Sequence, residues 1–184
     1  MTASPTQILK DEHRVIERVL AVLQRAAAKL EAGERVDPSV FERSIDFIRN
    51  FADRYHHAKE ENALFATMAA HGIPQRQGPI GVMLMEHEQG RAHVRGMAEA
   101  LERYSEGDES ARPALVEHAR GYADLLSAHI YKEDNILYPM GDQVMPVDVQ
   151  EGLLKDFREL EAQVLTPEER QRYLDMVADL EKAV

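Results

Sequence analysis

Apolar residues recur every three to four positions along most of the chain, and no stretch alternates polar and apolar as a half-buried strand would. The pattern predicts an all-α protein. Ser4, Pro5 and Gln7 together read as a helix start with a cap, a first-turn proline and a capping-box partner. From there Leu9, Ile16, Leu20, Leu23, Ala27 and Leu30 form a heptad seam, and His13 fills the remaining place in it. Gly33 closes this helix. Asp37-Pro38 opens a second, whose inner face runs Phe41, Ile45, Ile48, Ala52, His56, Glu60 and Leu64. The breakers His71-Gly72-Ile73-Pro74 and Gly78-Pro79 predict a loop, after which Ile80, Met83, His87, Gly90, Val94, Met97 and Leu101 share one stripe. Beyond Gly107-Asp108 a fourth helix aligns Leu115, His118, Tyr122, Leu125, His129, Glu133 and Ile136, with Pro139 and Gly141 expected to end it. Two shorter helices follow, one capped by Asp148 with Glu151 and one by Thr166-Pro167 with Glu169. Their apolar faces are expected to pack across the longer helices or to form a dimer contact.

Histidines and carboxylates interrupt these apolar stripes, and two of the interruptions match. His56-His57-Ala58-Lys59-Glu60-Glu61-Asn62 is echoed by His129-Ile130-Tyr131-Lys132-Glu133-Asp134-Asn135. Aligning the Lys-Glu-acid-Asn part puts His56 opposite His129, so His56/Glu60 and His129/Glu133 are the working H-x-x-x-E pairs. His57, Glu61 and Asp134 are then read as flanking residues. The spacing climbs roughly 6 Å and returns to nearly the same helix face, so an imidazole and a carboxylate converge.

Heights along the helices bring the pairs together. His13 lies about 17 residues from the end of its helix and His56 about 17 from the start of the next, a rise of roughly 26 Å each way. In an up-down-up-down four-helix bundle His13, His56, His87 and His129 therefore share one layer, with Glu60 and Glu133 a turn away. Burying such groups unpaired costs several kcal/mol each, and a cation offsets that cost. Imidazole and carboxylate together suit two iron, manganese or zinc ions better than magnesium or calcium. His118 is about three turns from His129, roughly 16 Å, and is expected as a hydrogen-bonded core residue. His71 and His93 are read as surface residues. Tyr55, Tyr122 and Tyr131 are near enough in sequence to donate a hydrogen bond to the site.

Composition narrows the setting. The 184 residues contain no cysteine, which excludes thiolate zinc sites and thiol catalysis. A formal charge of −11 argues against nucleic acid or an anionic membrane surface as partner. With neither a signal-like start nor a long apolar run, a cytoplasmic protein, monomer or homodimer, is expected.

Taken together, the early histidine of the first helix, the two H-x-x-x-E motifs, Glu86-His87-Glu88 and Leu137-Tyr138-Pro139 resemble the hemerythrin-like (HHE cation-binding) proteins. The likeness covers 5–141, the bundle, and leaves 142–184 as a C-terminal helical extension of a single domain. The resemblance implies a non-haem di-iron centre, with zinc or manganese as alternative metals, held by His13, His56, Glu60, His87, His129 and Glu133. Oxygen-carrying hemerythrins have a further histidine one turn past the third-helix ligand and end in H-x-x-x-x-D. Arg91 stands at the first of these positions, and both Glu133 and Asp134 compete for the role of second bridging acid. One imidazole fewer points to reaction with, or sensing of, a small oxidant such as oxygen, peroxide or nitric oxide, in preference to reversible storage. The alternative is a metal-dependent binding or sensing module without turnover. Arg91 would either aim its charge at an anionic oxygen ligand in the pocket or turn outward to Glu88.

Overall fold

The computed structural model describes residues 3–184, and among these every regular element is a helix. Helix α1 (Pro5–Glu31) begins where Ser4 accepts a hydrogen bond from the Gln7 amide at 3.2 Å. The Gln7 side chain turns instead to Asp11, so the reciprocal half of the expected capping box is not made. Gly33 then takes a left-handed φ of +80°, which ends α1. The second long rod, α2 (38–70), is built of Pro38–Phe47, Ile48–His57, Glu60–Leu64 and Phe65–Ala70, and its second and third pieces are π-helical. Helix α3 is Pro79–Ser105. Helix α4 (112–144) joins Arg112–Lys132, a π-helical Glu133–Leu137 and Tyr138–Val144.

Pro139 does not end α4. It lies in the first turn of Tyr138–Val144, directly after the π-helical piece, and the rod runs on past Gly141 to Val144. The π register before it also corrects the inward stripe, because Leu137 and Tyr138 face the interior while Ile136 is 50% exposed. Helices α5 (Val147–Val164) and α6 (Pro167–Ala183) complete the chain. Asp148 sits in the first turn of α5 without capping it, whereas Thr166 and Glu169 form the full reciprocal box at α6.

The core divides into two apolar clusters. One joins Ile16 to Leu30 of α1 with Phe41, Phe51, Met97, Leu126 and, from α6, Tyr173, Val177 and Leu180. The other joins Leu9, Leu64, Phe65, Met83 and Leu137 with Leu153 and Phe157 of α5. The C-terminal helices thus bury their apolar faces on the longer helices. The histidine layer lies between the two clusters, so hydrocarbon closes it from both ends.

Candidate metal centre

The π segments decide which side chains meet. A π turn holds more residues than the 3.6 of an α-helix, so neighbours fan over a smaller angle. His56 and His57, 1% and 5% exposed, can therefore both face inward with Glu60. The same register brings Phe65 and Tyr138, each five residues past its glutamate, onto the face of the centre. Phe65 stacks near His87 and Tyr138 near His13, with ring centroids 6.1 and 5.6 Å apart.

Two groups of four side chains, His13/His56/Glu60/Glu133 and His57/Glu60/His87/His129, each bring ligand-type atoms within 4.8 Å of one another. Glu60 belongs to both. His87 and His129 face each other through their Nε2 atoms at 3.1 Å, and Glu133 Oε2 lies 3.1 Å from His129 and 3.3 Å from His13. The leftover valence of the donor set fits a metal. His56 Nε2, Glu60 Oε2 and both Glu133 oxygens are buried without a hydrogen-bond partner. Native interiors rarely leave such atoms unsatisfied, and four in one spot fit cation coordination.

The opposite edge of every imidazole is occupied. Glu12 of α1 takes His56 Nδ1 at 2.8 Å, Glu61 of α2 takes His87 at 2.7 Å, Glu86 of α3 takes His129 at 3.0 Å, and Asp134 of α4 takes His13 at 2.7 Å. Each acid adjoins a metal-facing residue of its own helix but serves a histidine of the next, so the four bonds close a ring around the centre. Asp53 supports His57 within α2 at 3.3 Å. Such carboxylate support fixes the tautomer and turns Nε2 inward as the lone-pair face. Each acid in turn carries a cation: Lys59 on Glu12, Arg91 on Glu61 and Asp53, Lys132 on Glu86, Arg14 on Asp134.

Electrostatics follow from burial. Burial and the neighbouring Glu133 push the Glu60 carboxyl well above its usual range. Burial acts the same way on Glu133, but the His129 charge and the close approach of His129 and His13 hold it well below. Burial likewise works against a charged His129, yet Glu133 and Glu86 raise it to about 9. His57 drops to about 3 through burial and the nearby His87, and His56 falls well below its ordinary value for similar reasons. Neutral imidazoles beside a buried acid are ready donors, and a metal entering here displaces protons.

All six residues read from the sequence as ligands stand in the two groups. His57, read as flanking, stands there too, so the layer holds five histidines and the imidazole missing at Arg91 is supplied from α2. Arg91 itself is not free to face a ligand at the centre: its guanidinium donates to Asp53, Glu61 and Glu88. Asp134, the rival bridging acid, lies in the outer ring. Among the tyrosines, Tyr131 is 65% exposed, and the hydroxyl that reaches the centre is that of Tyr138, donating to Glu60. The sequence assigned no role at the site to Glu12, Glu86, Lys59 or Tyr138, although the last three lie within its motifs. The repeated Glu-His dipeptides at 12–13 and 86–87 were the available signal. A pocket of about 200 Å³ opens between α2, α3 and α4 and reaches Asp53, His57, His87 and Arg91. Tyr122 forms part of its wall, and the buried Tyr122 hydroxyl has no partner.

The uncharacterized proteins Rv1995 and MT2051 of Mycobacterium tuberculosis and Mb2018 of Mycobacterium bovis are each 24% identical to this chain over 181 residues, covering 98% of it and 70% of their own length. No solved structure matches significantly. The family profile described as the hemerythrin HHE cation binding domain matches residues 4–141, and with the donor set just described the chain belongs to that family of cation-binding proteins.

Proposed function

We propose that this is a non-haem di-iron protein, an up-down-up-down four-helix bundle with two further helices, that reacts with or senses a small oxidant. The observation that carries the reading is the pair of four-residue groups sharing Glu60, in which His56 Nε2, Glu60 Oε2 and both Glu133 oxygens have no hydrogen-bond partner. His13 and His56 would hold one ion and His57, His87 and His129 the other, with Glu60 and Glu133 between them. When bound, iron supplies the one-electron steps that let a protein meet oxygen, peroxide or nitric oxide. The chain supplies the rest. Tyr138 holds a proton against Glu60 Oε1, a short path by which a reduced oxidant could be protonated. The two apolar clusters exclude water above and below, and the pocket at His57 and His87 offers a small guest an entrance with the Tyr122 hydroxyl as a donor.

With five histidines in the layer, a missing imidazole no longer supplies the argument against oxygen storage. The proton held by Tyr138 takes its place. A stable, vacuum-releasable oxygen adduct would overturn the proposal of reactivity. Loading the protein anaerobically should give two irons per chain, and mixing with peroxide, oxygen or nitric oxide should change the ultraviolet-visible spectrum within seconds. Peroxide consumption over many cycles marks an enzyme.

Binding without turnover is the second reading, favoured by one feature. Buried Lys59 joins Glu12, behind His56, to Glu161 of α5 at 2.9 Å, and Tyr55 donates to the same Glu161 at 3.0 Å. These contacts give occupancy of the centre a route to the C-terminal helices, which a sensor would use. Oxidant-driven spectral change without peroxide consumption, accompanied by altered proteolysis of α5, selects this reading.

A further inference from the structure

Two histidines outside the centre are arranged with unexpected care. His93 of α3 and His118 of α4 place their Nδ1 atoms 3.4 Å apart, with ring planes at 66° and centroids 5.6 Å apart. The sequence reading put one on the surface and the other in the core. Instead both are half-buried on the same seam between helices.

Each ring lies over a glycine of the opposite helix. A Cβ added at Gly96, three residues after His93, would come 2.3 Å from His118 Nε2, and one added at Gly121, three residues after His118, would come 2.3 Å from His93 Cε1. Real Cβ contacts are never so close. The two H-x-x-G segments therefore interlock, each helix giving up a side chain at mid-helix, where glycine is the poorest former after proline, to seat the other's imidazole.

The separation of the two nitrogens bears on what they do. An ordinary nitrogen-donor hydrogen bond spans about 2.7–3.2 Å, shorter than this pair. A tetrahedral ion with metal–nitrogen bonds of about 2.0–2.1 Å spreads two of its donors about 3.4 Å apart. In the buried centre the corresponding pair on the same two helices, His87 and His129, is 3.1 Å apart. His93 lies six residues beyond His87, about 9 Å along α3, so the pair cannot share the buried ions. We propose that His93 and His118 form a separate two-histidine site for one divalent zinc-type ion, with solvent or a small ligand completing its coordination. Burial and the adjacent His118 hold His93 below its ordinary value, which keeps it neutral and able to donate, and the nearby Glu117 adds negative charge that favours a cation. Imidazole pairs of this kind select borderline ions over magnesium or calcium.

The test is calorimetric titration of the protein, already loaded at its buried centre, with Zn2+, repeated with Co2+ to read tetrahedral coordination from its visible bands. One additional ion per chain is expected. His93→Gln and His118→Gln should each weaken that ion at least about tenfold while the buried metal content and helicity stay unchanged. Gly96→Ala, which keeps both imidazoles but drives a methyl group into the His118 ring, should weaken it as well. Should His118→Gln fail to fold, protection of His93 and His118 in the unaltered protein from diethyl pyrocarbonate by Zn2+ gives the same information. Absence of an additional ion, its undiminished binding in the folded variants, or modification rates indifferent to Zn2+ would each overturn the proposal and leave the pair as packed neutral rings.

Discussion

The segments 56–65 and 129–138 are two copies of one device, and their differences are more informative than their likeness. In both, a histidine and a glutamate face the centre, a lysine neutralises the acid behind that histidine, and the acid after the glutamate supports a histidine on the next helix. The copies differ at five of ten positions, and two of these bear on the centre. The first has His57 where the second has Ile130, and Phe65 where the second has Tyr138. One side of the centre is thereby richer in nitrogen and open to a pocket, whereas the other has fewer nitrogens and a phenol hydroxyl at hand. A twofold plan has been turned into two unlike donor groups.

Breaking what the copies share should cost most. Glu60 stands in both groups of donors, so Glu60→Ala should leave at most one ion, by elemental analysis, and erase most of the thermal stabilisation that metal gives. Glu133→Ala should do the same at its own side. The helical fold should survive in both, because each fully buried Leu or Phe of the flanking clusters contributes about 1.5–3 kcal/mol independently of the metal.

Making the copies alike should come next. His57→Ile reproduces Ile130 and should weaken the ion beside His87 and His129 at least about tenfold, with less effect on the other. Retention of both ions at unchanged affinity would return His57 to a flanking role. The same variant sharpens a pH effect in the metal-free protein. A histidine that is neutral when folded, titrating near about 3 against about 6.5 unfolded, contributes stability above about pH 6.5 that is lost as pH falls through that window. His57 should therefore contribute about 2 kcal/mol to the change between about pH 7 and about pH 5, read as the difference between wild-type and His57→Ile denaturant melts, because His56, which acts in the same sense, and Glu60, which is raised and acts in the opposite one, contribute to both proteins. His129, raised to about 9, acts in the opposite sense: its contribution is complete below about pH 6.5 and lost as pH rises through about 9, so it does not mask the acid effect.

Outer-shell changes should be milder. Asp134→Asn and Arg91→Gln leave every ligand-type atom in place and should lower metal affinity about tenfold by loosening His13 and His57/His87 respectively. The smallest effect on metal content is expected from Tyr138→Phe, which copies Phe65. Both ions should stay, while the rate of reaction with peroxide falls several-fold in stopped-flow traces. An unchanged rate would remove Tyr138 from proton delivery.

The legible part of this architecture was the part that obeys the 3.6-residue period. The seam of α1 and the stripe of α3 are buried at each position read from the pattern, and counting residues along the helices brought His13, His56, His87 and His129 to one level. The misreadings cluster where the helix widens. Ile136 was set on the inner face by α-helical counting across Glu133–Leu137, and His57 was read as flanking from the match between the two motifs, since a π turn leaves no trace in hydrophobic periodicity. The supporting acids were hidden differently. Glu12 and Glu86 adjoin a ligand but serve another helix, and only tertiary geometry reveals that crossing.

The closed ring of carboxylate–histidine bonds also bears on timing. Synthesis delivers α1 first, but the acid that turns His13 toward the metal follows 121 residues later, on the last helix of the ring. Until then each pair of neighbouring helices contributes one bond of the ring, and within α2 Asp53 supports His57. A half-made chain accordingly offers passing ions only isolated, poorly aimed imidazoles, and selective uptake has to wait until the fourth helix has docked.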